Sequence, residues 1–199
     1  MEARSFMSCY CGSLLAAAVA LFLSVALGAG AFAGADLKAS CAATPHPDAC
    51  VAALQAEPSA KGTATARDLA EAAILAASTA GAAAGDYARA QLDVAKDNAA
   101  WQCLNECAED IEDALSHLDD SEGQIDDAKI HDVKLFLDTT DQDAWDCDDS
   151  CKHAPQTPVK AALLAKNKAF EDLMAVTHAL VKRAIGGAAP APAPSSMSP

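Results

Sequence analysis

Cys103-Leu-Asn-Glu-Cys107 and, beyond a long acidic stretch, Cys147-Asp-Asp-Ser-Cys151 decide how this chain folds. Each pair of cysteines is four residues apart, which on a helix puts both thiols on one face, one turn apart. Between the pairs, Ile111, Leu115 and Leu118 recur at helical spacing, Ser121-Glu122-Gly123 interrupts, and Ile130, Val133, Phe136 and Leu137 resume the pattern. The spacing predicts two antiparallel helices, about Ala99 to Asp119 and Gln124 to Lys152, joined by a turn and stapled at their open end. Antiparallel geometry selects the pairing. Climbing one helix means descending the other, so an inner pair Cys107–Cys147 and an outer pair Cys103–Cys151 can form together. The crossed alternative leaves one pair about two turns, or about 11 Å, apart, too far for a disulfide.

Outward from this staple the rest of the chain is also helical. On the N-terminal side, Thr65 is a helix cap with Asp68 early in the first turn. Leu69, Ala73, Ala76, Ala77 and Ala80 then share a face. The patch Gly81-Ala-Ala-Ala-Gly85 reads as a frayed end or a kink, and Asp97-Asn98 as a boundary. On the C-terminal side Pro155 and Pro158 end one helix. Another runs from about Val159 to Ile185 through Leu163, Phe170, Leu173, Val176 and Leu180, stopped by Gly186-Gly187. Earlier still, Cys41 and Cys50 close a ten-residue segment whose Pro45 and Pro47 keep its middle out of a regular helix. Its shortness favours a third disulfide, Cys41–Cys50. With no alternating strand pattern, the expected fold is all-α: an up-down-up-down four-helix bundle with a small N-terminal helical hairpin, stapled by disulfides.

Residues 14–27 are apolar and uncharged, and an Ala-Phe-Ala exit follows at residues 31–33. This is the pattern of a secretory signal peptide, expected over residues 1–33. Its removal takes Cys9 and Cys11 away and leaves six cysteines, an even number suited to three bridges in an oxidising compartment. The folded domain is expected over 36–186. The Ala/Pro/Ser-rich tail, 187–199, is expected to be extended and disordered. No other long apolar run suggests a membrane span for the mature form. The formal net charge of −14 argues against a nucleic-acid partner and suits a basic protein partner.

No catalytic constellation emerges. The mature cysteines can all pair, and the five histidines are scattered without a nucleophile elbow, a phosphate loop or a His-Glu-x-x-His. Four cysteines with His153 could be imagined around zinc, but the spacing and an oxidising address favour bridges. No cofactor or metal is expected, and the chain does not read as an enzyme.

The segment Cys41-Ala-Ala-Thr44-Pro45-His46-Pro47-Asp-Ala-Cys50 resembles the opening of the plant invertase/pectin methylesterase inhibitor family. Leu104, Cys107, Ala114 and Leu118 fit its next landmark, with Ile111 where a tyrosine is usual. Asp132-Val133 and Phe136-Leu137 fit the start of the third landmark, and Cys147 its end. The likeness runs from Cys41 to about Ile185, and the Cys107–Cys147 bridge is also the family's. Two departures stand out. Asp138-Thr139-Thr140-Asp141 replaces a Ser-Ala-Ala-Leu block, with Asp146 in place of a threonine, and Cys103 and Cys151 are additional.

The resemblance implies a secreted inhibitor, placed in the apoplast and cell wall, that occludes the substrate cleft of pectin methylesterase one to one. The second and third bundle helices would be its contact surface. On this chain that surface carries Glu109, Asp110, Asp113, Asp138, Asp141 and Asp143, with Thr139 and Thr140 as the nearest hydroxyls. Many wall methylesterases are basic, so this negative face would steer association. The sibling function, inhibition of acid invertase, uses the N-terminal hairpin side and a Pro-Lys-Phe motif in the family, and that motif is absent here. A non-inhibitory storage or structural bundle is the third reading.

Overall fold

The computed structural model describes residues 37–57, 60, 65–126 and 129–186. Among them every regular element is helical. The expected leader over 1–33 and the expected tail over 187–199 lie outside the described residues. A short helix, α1, covers residues 37–41. It is followed by α2 (Pro47–Ala56), α3 (Ala66–Leu92), α4 (Asn98–Asp126), α5 (Ile130–Ser150) and α6 (Pro158–Gly186).

The four long helices form a ring in which α3 packs on α4 and α6, and α5 packs on α4 and α6. Contacts across each seam run in opposite order along the two chains. Gly81 approaches Leu115 while Gly85 approaches Ile111. Cys103 joins Cys151 while Cys107 joins Cys147. Asp141 meets His178 while Asp148 meets Asn167. The Thr177 hydroxyl donates to the Ala73 carbonyl while Phe170 packs at Gly81. Every neighbour is therefore antiparallel, as an up-down-up-down bundle requires.

The core follows from which residues repeat at helical spacing. Phe170, Ile74, Ile111, Leu118, Leu137, Leu163, Met174 and Leu180 are fully buried. The N-terminal hairpin is a disulfide loop. Cys41–Cys50 spans 5.6 Å between Cα atoms, Pro47 occupies the first turn of α2, and the buried Thr44 hydroxyl donates to the Cys41 carbonyl at 2.8 Å. Arg183 reaches from α6 to the Ser40 carbonyl and ties this hairpin down.

Two local expectations fail. The helix α4 does not stop before Ser121-Glu122-Gly123 but runs on to Asp126. Ser121 is buried and satisfies its hydroxyl on the His117 carbonyl at 2.8 Å, and Ile125 packs into the core one turn later. That burial offsets the cost of Gly123, which has nothing within 4 Å of where a Cβ would lie. Likewise Gly81 to Gly85 is neither frayed nor broken, since α3 continues to Leu92. A Cβ at Gly81 would stand 3.1 Å from Leu115 and 3.2 Å from Phe170, and one at Gly85 would stand 3.2 Å from Ile111. The glycines mark where neighbouring helices come closest.

Candidate functional site

The expected contact helices, α4 and α5, owe their fixed register to the nested disulfides, which hold Cα atoms 4.3 Å apart at Cys103–Cys151 and 4.1 Å apart at Cys107–Cys147. All six described cysteines are thus bonded, and none is available as a nucleophile.

On α4, Glu106, Asp110, Asp113 and His117 recur at steps of four, three and four, which places them in one row. Across the seam α5 supplies Asp143 and Asp146. Burial, and then repulsion from Asp146, Asp143, Glu106 and Asp113, push the Asp110 carboxyl up from 3.8 to about 6. Asp143 is also raised, first by burial, then by Asp113 and Asp146, against the opposing pull of His117. His117 Nε2 lies 3.8 Å from Asp143 Oδ2, and its ring stacks on Phe136 with centroids 6.1 Å apart. So Asp110, Asp113 and Asp143 belong to one acidic seam. Glu109 does not. It is one residue, or roughly 100° of helix rotation, away from Asp110, and accepts a hydrogen bond from Asn105 Nδ2 at 2.8 Å.

Asp138 and Asp141 sit on the other side of α5, toward α6. His178 Nε2 is 2.8 Å from Asp141 Oδ2, and its Nδ1 is 4.0 Å from Asp138 Oδ1. The bond to Asp141 is the main cause that lifts the His178 imidazole above its ordinary 6.5. Asp138 also pairs with Lys134.

The hydroxyls are a correction. Thr140 is fully buried and donates to the Phe136 carbonyl at 2.9 Å, so it cannot meet a partner. It falls in phase with Val133, Leu137, Ala144 and Cys147, all buried. Thr139 is half-buried and spends its proton on the Leu135 carbonyl at 3.1 Å.

Two residues not singled out in the sequence are the most conspicuous on this surface. Leu135 is 65% exposed and Trp145 is 60% exposed. With Asp138, Gln142 and Asp149 they form a stripe at i, i+3, i+7, i+10 and i+14 along the outer side of α5. The available signal was phase, because both fall off the buried repeat of α5. Exposed tryptophan and leucine among carboxylates have the composition of a binding anchor within a polar rim.

Comparison with known proteins agrees with this architecture. The sequence profile of the plant invertase/pectin methylesterase inhibitor family matches residues 35–180. The chain belongs to that family. It is accordingly an inhibitor of pectin methylesterase or invertase and not an enzyme itself. A comparison with curated proteins finds no match by sequence. Among solved structures, a mutant form of a pectin methylesterase inhibitor from Arabidopsis superposes with a TM-score of 0.61 at 14% identity, covering 71% of this chain and 92% of that one. A second pectin methylesterase inhibitor, from Arabidopsis thaliana, gives a TM-score of 0.55 at 14% identity, covering 74% and 95%. At that identity the likeness is one of fold. Among the described residues, no helix of this family member is long and apolar enough to cross a membrane.

Proposed function

We propose that this protein is a secreted inhibitor of pectin methylesterase that blocks the enzyme's substrate cleft one to one with the surface of α4 and α5. The observation that carries the reading is the combination on these two bridged helices of an acidic seam with Leu135 and Trp145, the most exposed large apolar side chains described on them. A rigid, disulfide-held surface loses little conformational freedom on binding. Its carboxylates would steer a basic enzyme toward it, and the two apolar groups would supply contact area without charge. The leader over residues 1–33 would deliver the chain to the cell wall, where pectin and its methylesterases meet. The absence of Pro-Lys-Phe from the sequence favours methylesterase over invertase.

The test is an inhibition titration of the oxidised mature protein against a plant pectin methylesterase and an acid invertase, side by side, at two salt concentrations. Stoichiometric loss of methylesterase activity that weakens with salt is the expected outcome. Loss of invertase activity alone would transfer the function to the sibling class. Inactivity against both would leave the bundle without an inhibitory role toward either enzyme.

A further inference from the structure

The end of the bundle that holds the outer disulfide contains a cavity of about 290 Å³, set between the α3–α4 connection and the α5–α6 connection. Ala95, Ala100, Leu104, Pro155 and Val159 contribute to its mostly apolar wall, with Lys160 beside them. Lys160 is out of place there. It is only 5% exposed, and its ammonium makes one hydrogen bond, to the Ala154 carbonyl at 2.9 Å. An ammonium has three protons to donate, and among the described residues no carboxylate pairs with this one. A buried, unpaired charge is costly unless something completes its coordination.

The other charges nearby roughly cancel, which leaves the Lys160 ammonium as the excess charge of the cavity. Lys96 also lines the cavity, and the helix ends offset one another there, since α4 and α6 begin beside it where α3 and α5 end. Asp97 is the acidic residue in the lining, and its Oδ1 already accepts from the Ala100 N–H at 2.9 Å. The Thr157 hydroxyl accepts from the Lys160 N–H at 3.1 Å. In a chain of net charge −14, an apolar hollow with a buried cation is a selective environment. Its volume lies near the lower end of the range for small-molecule sites, about 300–1,000 Å³.

We infer that this cavity binds a small amphipathic carboxylate, whose apolar body fills the hollow while its carboxylate completes the coordination of the Lys160 ammonium. Such a ligand would bridge the two connections next to the Cys103–Cys151 bond. This site shares α4 with the acidic seam, but none of its lining residues belongs to that seam or to Leu135–Trp145, so its occupancy and enzyme inhibition can be measured separately.

The experiment uses the disulfide-bonded chain, octanoate as the probe, and octanol and octylamine as probes of similar shape and different charge. Calorimetry and amide chemical shifts are followed together. Octanoate should bind one to one and move the amides of Ala100, Leu104 and Val159. Octanol should bind about tenfold or more weakly for want of the charged hydrogen bond, and octylamine more weakly still. Lys160→Met should bring octanoate down to the level of octanol. Should that variant not fold, Ala100→Phe decides, because filling the cavity should abolish octanoate binding while the helical amide pattern persists. Absence of saturable octanoate binding, equal affinity for the three probes, or octanoate binding that survives Ala100→Phe would overturn the assignment.

Discussion

The α3–α6 side of the bundle and the α4–α5 side are held together by different chemistry. On the α3–α6 seam, α3 presents small residues and α6 packs larger ones, Phe170, Met174 and Leu180, against them. Ala70, Ala73, Ala77 and Ala84 are fully or nearly fully buried, and Gly81 admits Phe170 of α6 within van der Waals reach. Close approach and apolar burial are enough there. Along α4 and α5 the outer part of the seam is lined with Glu106, Asp110, Asp113, Asp143 and Asp146, and the Asp110 and Asp143 carboxyls are raised first by burial and then by repulsion from these neighbours. That side carries two disulfides. The contrast teaches that a surface crowded with like charge, useful for meeting a basic partner, needs covalent closure that a small-residue seam does without.

The comparison can be broken most strongly on the packed side. Phe170→Ala empties a fully buried ring position and should cost about 3–5 kcal/mol in denaturant unfolding; a loss below about 1 kcal/mol would mean that packing does not hold this seam. On the stapled side, Cys103→Ser with Cys151→Ser leaves the inner bridge in place. The outer bridge then closes a further ring of only about ten residues, so about 2–3 kcal/mol should be lost. If nothing is lost, the second staple is redundant. Thr65→Ala removes a capping box in which the Thr65 hydroxyl accepts from the Asp68 N–H and Asp68 accepts from the Thr65 N–H. A cost of about 1 kcal/mol is expected.

The smallest effect concerns pH. The Asp110 carboxyl titrates near 6 in the fold against an ordinary 3.8, so the folded state holds its proton in a window where the unfolded chain has lost it. Stability tied to this group therefore falls as pH rises from about 4 to about 6. His178, raised above 6.5 by Asp141, acts in the same direction: its contribution is complete below 6.5 and disappears as pH climbs through the folded value. The melting temperature should be higher at pH 5 than at pH 7.5, and Asp110→Asn should flatten that slope. A melting temperature that rises between those pH values would contradict the assigned repulsion.

Much of this fold was legible in the sequence because the cysteine spacing, the apolar repeats and the Thr65 cap each act over one or two helical turns. The missed features depend on a neighbouring helix. Gly81 and Gly85 look like breakers until Phe170 and Ile111 are seen against them, and Ser121-Glu122-Gly123 looks like a turn until Ile125 is found in the core. The candidate surface was legible in composition and less so in arrangement. A list of carboxylates does not reveal that Asp141 and Asp143, two residues or roughly 200° apart on a helix, face different neighbours. Thr140 could have been assigned to the interior by phase alone, as could the outward position of Leu135 and Trp145.

The most direct test of the bridged α4–α5 surface as the working surface is the inhibition constant toward pectin methylesterase of three proteins: the parent, Leu135→Ala/Trp145→Ala, and Leu75→Ala as an exposed control on α3. Loss of a central anchor is typically worth about 2 kcal/mol or more, so the double variant should inhibit about thirtyfold less well or worse, with unchanged melting temperature. The Leu75 variant should match the parent. A double variant that inhibits as strongly as the parent would contradict the account, and would move the contact surface off the outer side of α5.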